Sequence, residues 1–166
     1  MKLALHLALH TGQRQGDLLI LPWSAYDGHA IRLKQGKSRR GTKEGRQLYI
    51  PCTAALRRAL DAAPRRAIPI LTKPDGMAWT KSAFHHAWSA AYDRSGLRDD
   101  LHFHDLRGTA VTMLSEAGCT PQEISTITGH TLATVNKILE VYLARTRMLA
   151  ESAILKLDAH PRNAAQ

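Results

Sequence analysis

Apolar positions in this chain recur at helical spacing over most of its length and switch to alternation in two short runs. Leu3, Leu5, Leu7 and Leu9, set among alanines, predict a helix over 1–11 that is too uniformly apolar to lie open on a surface, so something is expected to precede Met1 in the natural protein. A helical turn over 17–21 leads to Pro22-Trp23. Residues 30–33 and 47–50 then alternate as short strands do, and Pro51 ends the second because proline donates nothing to a ladder. Between the strands lies a basic, glycine-punctuated hairpin, 34–46. Helical periodicity resumes over 53–63, 80–95, 104–117, 121–128, 131–143 and about 146–157.

The helix ends carry their own signals. Gly96 and Gly118 suit left-handed C-terminal caps, and Thr120-Pro121-Gln122-Glu123 is a capping box with proline at the first helical position. The stretch 63–79, with Pro64, Pro69, Pro74 and Asp75-Gly76, predicts a surface connection, and 160–166 a frayed tail. Trp23, Trp79 and Trp88 are expected to anchor the core. No repeat or linker divides the chain. The expected fold class is α+β: one mostly helical domain over 1–158 with a small antiparallel sheet in its N-terminal third.

Composition narrows the classes. The 166 residues, 44% of them hydrophobic, suffice for one domain with a core. The formal net charge of +9 and pI near 10.0 favour a polyanionic partner, since each Lys or Arg set near a phosphate releases condensed counterions. Cys52 and Cys119 stand far apart, which suggests neither a zinc knuckle nor a disulfide framework and fits a reducing cytoplasm. His6 and His10 interrupt the apolar start that a signal peptide needs, and no apolar run approaches the roughly 20 residues of a membrane helix.

Six polar residues then suggest a chemistry: Arg14, Lys37, His104, Arg107, His130 and Tyr142. Two arginines, a lysine and two histidines could neutralise a phosphodiester at its transition state while a tyrosine hydroxyl attacks phosphorus. His104 and Arg107 are an i, i+3 pair on one helical face, with Ala110, Met113, Leu114 and Ala117 continuing it toward the core. Gly12 and Gly16 flank Arg14 and would let backbone pass close to a ligand, and Asp17 falls where it could hold the guanidinium. Tyr142 shares a stripe with Val135, Ile138 and Leu139, which on spacing alone makes it a core tyrosine.

In order and setting, Thr11-Gly12-Gln13-Arg14-Gln15-Gly16-Asp17, Lys37 between the strands, His104-Asp105-Leu106-Arg107, Gly129-His130 and Tyr142 resemble the catalytic domain of the tyrosine recombinases, the phage-integrase family. The resemblance runs from about Leu3 to Tyr142. It implies that Arg14 and Arg107 clamp the scissile phosphate, Asp17 supports them, His104 handles protons, His130 hydrogen-bonds the phosphate, and Tyr142 forms a 3′-phosphotyrosine ester with no metal or other cofactor. Lys37 takes the role of the leaving-group lysine, with Lys34 and Lys43 as alternatives. His130 and Tyr142 stand twelve residues apart, longer than the family's commonest spacing. The implied partners are double-stranded DNA and further copies of the chain, a tetramer on DNA, with no membrane. Arg39, Arg40, Lys43 and Arg46 form the expected DNA-backbone patch, and Arg57, Arg58, Arg65 and Arg66 a second one. The family's N-terminal DNA-clamping domain and the start of the catalytic domain are expected to lie outside the chain. The rival readings are a non-enzymatic helix-turn-helix-like DNA-binding module over 120–139 and a type IB topoisomerase.

Overall fold

The computed structural model of the chain describes residues 1–36, 45–97, 101–142 and 147–159. Helix α1 (Lys2–Thr11) buries Ala4, Leu7, Ala8 and Thr11, an i, i+3, i+4, i+7 stripe, and leaves Leu5 exposed. The alternating leucines are therefore not its core face; the alanines between them are half of it. Gly12 caps α1 at φ 62, a left-handed conformation that glycine adopts without steric cost. Helix α2 (Gln15–Leu19) starts two residues before the expected turn, and a 3-10 turn follows at Trp23–Ala25.

Strands β1 (Ala30–Lys34) and β2 (Gln47–Pro51) pair antiparallel, with Ile31 opposite Ile50 and Leu33 opposite Leu48. Those four side chains are the sheet's buried face. On the other face Arg32 lies over the Tyr49 ring, 5.3 Å from its centroid. Pro51 occupies the last position of β2, where its missing N–H costs no ladder bond.

Helices α3 (Ala54–Asp61) and α4 (Lys81–Ser95) begin at Thr53 and Thr80, whose hydroxyls accept from the N–H groups of Leu56 and Ala83. The segment between them is more than a surface connection. Ile70 and Leu71 are buried, and Pro22 and Thr72 form bridges with Pro69 and Ala78. From α4, Phe84 and Trp88 close edge-on around Phe103, at centroid distances of 4.9 and 5.0 Å. This aromatic clamp holds the 3-10 turn Phe103–Asp105 that leads into α5 (Leu106–Glu116). The helix expected from His104 thus opens as 3-10, and its buried face is Arg107, Ala110, Val111 and Ser115, while Met113 is exposed.

Helix α6 (Pro121–Thr128) has its capping box in place: the Glu123 N–H donates to Thr120 Oγ1 and the Thr120 N–H to Glu123 Oε2. Gly129 ends it at φ 71. Helices α7 (Leu132–Tyr142) and α8 (Arg147–Asp158) complete the described chain, a mostly helical α+β fold with a two-stranded sheet. Two apolar clusters result. The larger gathers α1 to α4, the sheet and Phe103; the smaller joins Val111 of α5, Ile124 of α6 and Val135 of α7. No helix among the described residues is long and apolar enough to cross a membrane.

Candidate active site

The seam between the two apolar clusters is polar, and there four of the expected residues, Arg14, His104, Arg107 and His130, come together. Arg107 projects from α5 and is only 4% exposed. A buried guanidinium needs acceptors, and Arg107 Nη1 donates to the carbonyl oxygens of Gly12 and, at 2.9 Å, Thr128. Its Nη2 is buried without a hydrogen-bond partner among the described residues. Burial, and then the charge of Arg14, pull Arg107 down to about 10, with Asp17 opposing the fall. At neutral pH the site therefore holds a charged guanidinium with one donor group unspent.

Arg14 stands at the N-cap of α2, half-exposed, its Nη1 3.8 Å from Asp17 Oδ2. Asp17 is buried, and its Oδ1 accepts from the Gly36 N–H at 2.9 Å, so one carboxylate faces Arg14 and fixes the end of β1. A Cβ on Gly12 would lie 2.7 Å from Thr128 Cγ2, so this glycine permits packing of α1 on α6, whereas Gly16 has ordinary space.

His130 follows the Gly129 cap, two residues before α7. Its Nδ1 lies 2.9 Å from Thr128 Oγ1, and its carbonyl accepts from Ser125 Oγ at 2.7 Å and Arg46 Nη1 at 3.3 Å. Burial first, then the charges of Arg107, Arg14 and His104, hold the imidazole down at about 4. Those four residues thus share one electrostatic neighbourhood, with His104 exposed on the 3-10 turn. Arg46, expected in the DNA-facing patch, sits at the rim. Lys37, Arg39, Arg40 and Lys43 lie outside the described residues, as does the side chain of Tyr142, whose backbone ends α7. Of the alternative lysines, Lys34 is exposed on β1. Of the second patch, Arg58, Arg65 and Arg66 are exposed and Arg65 stacks on Trp23, 4.8 Å from the ring centroid.

Three buried residues that carry no sequence signal hold this seam together. Gln35 Nε2 donates to Gln13 Oε1 at 2.7 Å and to the Thr128 carbonyl at 3.0 Å. Gln13 Nε2 donates to the carbonyls of Thr11 and Ile127. The Thr128 carbonyl accepts from Gln35 and Arg107 together, spending both lone pairs. A lone glutamine in a polar loop gives no hint of burial; only its position between Gly12 and Arg14, in the case of Gln13, marks the neighbourhood. Among the described residues no group of three or more His, Cys, Asp or Glu could hold a metal ion.

This helical fold is shared with known proteins. The model of the phage integrase family matches residues 1–146. A shufflon-specific DNA recombinase of Escherichia coli is 32% identical over 159 residues, 95% of this chain but 37% of its own length. The integrase of Mycobacterium phage FRAT1 is 37% identical over 62 residues, 37% of this chain and 18% of its own. Among solved structures, the Tn1549 transposon integrase in complex with transposon right end DNA superposes with a TM-score of 0.71 at 22% identity, covering 95% of this chain and 58% of that one. The lambda integrase catalytic core gives 0.63 at 26% identity, with 78% of each chain covered. The chain belongs to the phage integrase family, the tyrosine recombinases. It spans little more than a third of the length of the shufflon recombinase.

Proposed function

We propose that the chain is the catalytic domain of a site-specific DNA recombinase that cleaves and rejoins strands through a tyrosyl ester. The observation that carries this is Arg107: a nearly buried guanidinium with an unspent Nη2, in one neighbourhood with Arg14 and His130. Burying that much positive charge is costly unless an anion completes it, and a DNA phosphate is the anion a protein of net charge +9 meets.

In the reaction, the Tyr142 oxygen attacks the scissile phosphorus and the bond from phosphorus to the 5′-oxygen breaks, leaving a 3′-phosphotyrosine and a free 5′-hydroxyl. A phenol has an ordinary pKa near ~10, so His104 takes its proton as the bond forms. Arg14, Arg107 and His130 stabilise the charge spread over the phosphoryl oxygens. Lys37 protonates the departing oxygen. One phosphoester replaces another, so a second 5′-hydroxyl can reverse the step without ATP. Strand exchange between duplexes calls for several copies on DNA, and a tetramer is the arrangement we propose.

A non-enzymatic module built on α6, Gly129 and α7 gives no reason to sink Arg107 beneath Arg14, and a topoisomerase would relax supercoils without exchanging strands. The test of the site is a crystal structure grown in sulfate. One sulfate bound by Arg14, Arg107 and His130 is the expected result. A sulfate-free seam with Arg14 turned away from Arg107 would overturn the assignment.

A further inference from the structure

Thr128 is the hub of the seam, and its side chain is fully buried. A threonine hydroxyl carries one proton. Here it is donated to the Ile124 carbonyl at 2.7 Å, one turn back along α6. Toward His130 Nδ1, 2.9 Å away, the same oxygen can then only accept, and the proton of that contact belongs to the ring. The His130 backbone N–H approaches the same oxygen at 3.4 Å. With its carbonyl taken by Arg107 and Gln35, Thr128 has no freedom to rearrange.

We propose that Thr128 is a positioning residue that fixes the His130 ring with its proton on Nδ1, so that His130 donates to a bound phosphate through Nε2 only after taking up a proton. This rests on the reading of the seam as a phosphate site. A neutral imidazole protonated on Nδ1 presents a lone pair at Nε2, which repels a phosphate oxygen; only the imidazolium has a donor on each nitrogen. The groups facing the ring are Arg107 from α5, Arg14 ahead of α2, His104 from the 3-10 turn, and Arg46 from the base of the hairpin, with Asp17 of α2 acting on Arg107. Without an anion these cations, together with burial, keep the ring neutral. An arriving anion offsets the field of these cations, and one proton from solvent goes to Nε2. Phosphate capture and proton uptake are coupled.

The ¹⁵N resonances of His130 in the full chain test this, with inorganic sulfate as the probe because it stays a dianion throughout. Wild type, Thr128→Ser and Thr128→Val are compared between about pH 5 and 8. In the sulfate-free wild type the proton should reside on Nδ1, and sulfate affinity should fall about tenfold per pH unit as long as the free ring is neutral. Thr128→Ser keeps the hydroxyl and should retain both properties. Thr128→Val removes the acceptor, which should move the proton to Nε2 and flatten the pH slope, whereas a purely structural role for Thr128 would weaken binding equally at every pH. Should the valine variant fail to fold, the wild type and the serine variant decide the matter alone. A wild-type ring protonated on Nε2, or a wild-type sulfate affinity independent of pH, overturns the inference while leaving the phosphate site intact. Absence of any sulfate response at His130 overturns the phosphate site and this inference with it.

Discussion

Arg107 divides one planar group: Nη1 ties the Gly12 and Thr128 carbonyls together, and Nη2 is buried without a partner among the described residues, the donor proposed to meet a phosphate. Lysine cannot divide itself this way, because it is a point charge without a fork. Arg107→Lys should therefore lower the strand-cleavage rate by about 10² to 10³, measured in single turnover, and also lower the thermal midpoint. His130 gives a pH dependence whose sign is fixed by its neighbours. Its folded-state value of about 4 lies below the ordinary 6.5, so the unfolded chain binds more protons between the two. Its contribution to stability is present above about pH 6.5 and lost as pH falls toward about 4, and the denaturant midpoint followed over that window should lose part of its slope in His130→Gln. Arg14, His104, Arg107 and His130 were all legible in the sequence, because each stands in a motif. Gln13, Gln35 and Thr128 were not, because burial of a polar side chain depends on which carbonyls surround it in space. Gly129 shows the difference: its left-handed φ of 71 follows from its place at a helix end, but the Gln35 amide only 2.4 Å from where a Cβ would stand does not. Gly129→Ala should destabilise by about 1 to 2 kcal/mol from the left-handed backbone alone and by more from that contact, as read by chemical denaturation.

Helix ends were the most legible elements. The Thr120 capping box marks the start of α6, and since α6 delivers Thr128, local sequence sets where part of the site lies. Thr120→Ala should cost about 1 kcal/mol of stability and leave the His130 resonances nearly unmoved if only the first turn frays. The buried faces were harder. Apolar spacing put Met113 in the core, yet α5 buries the stripe Arg107, Ala110, Val111 and Ser115, and Met113 falls on the other side of the helix, exposed. Likewise 63–79 looked like surface from its prolines, while Ile70 and Leu71 pack into the main core. The 3-10 turn at Phe103–Asp105 has no periodicity to betray it; it is held by Phe84 and Trp88 from the preceding helix α4.

At the scale of the whole molecule, the two apolar clusters meet along a line of buried polar groups, with the cations Arg14, Arg107 and Arg46 beside it. Affinity for DNA should accordingly fall steeply with salt, with a log–log slope of roughly 0.9 for each phosphate neutralised, and Arg46→Ala should reduce that slope by about one if Arg46 reaches a phosphate. The overall class was legible from pattern and charge, and the family resemblance from the motifs, but the convergence of Gly12, Arg14, Arg107 and His130 across more than a hundred residues of chain required the fold. What remains central is the bond that Tyr142 is proposed to form. The direct measurement is covalent capture of the chain on nicked duplexes of randomised sequence, followed by mass spectrometry of the captured peptide. A nucleotide adduct on Tyr142, absent from Tyr142→Phe, is the result expected. An adduct on another residue, or capture that survives Tyr142→Phe, would contradict the account.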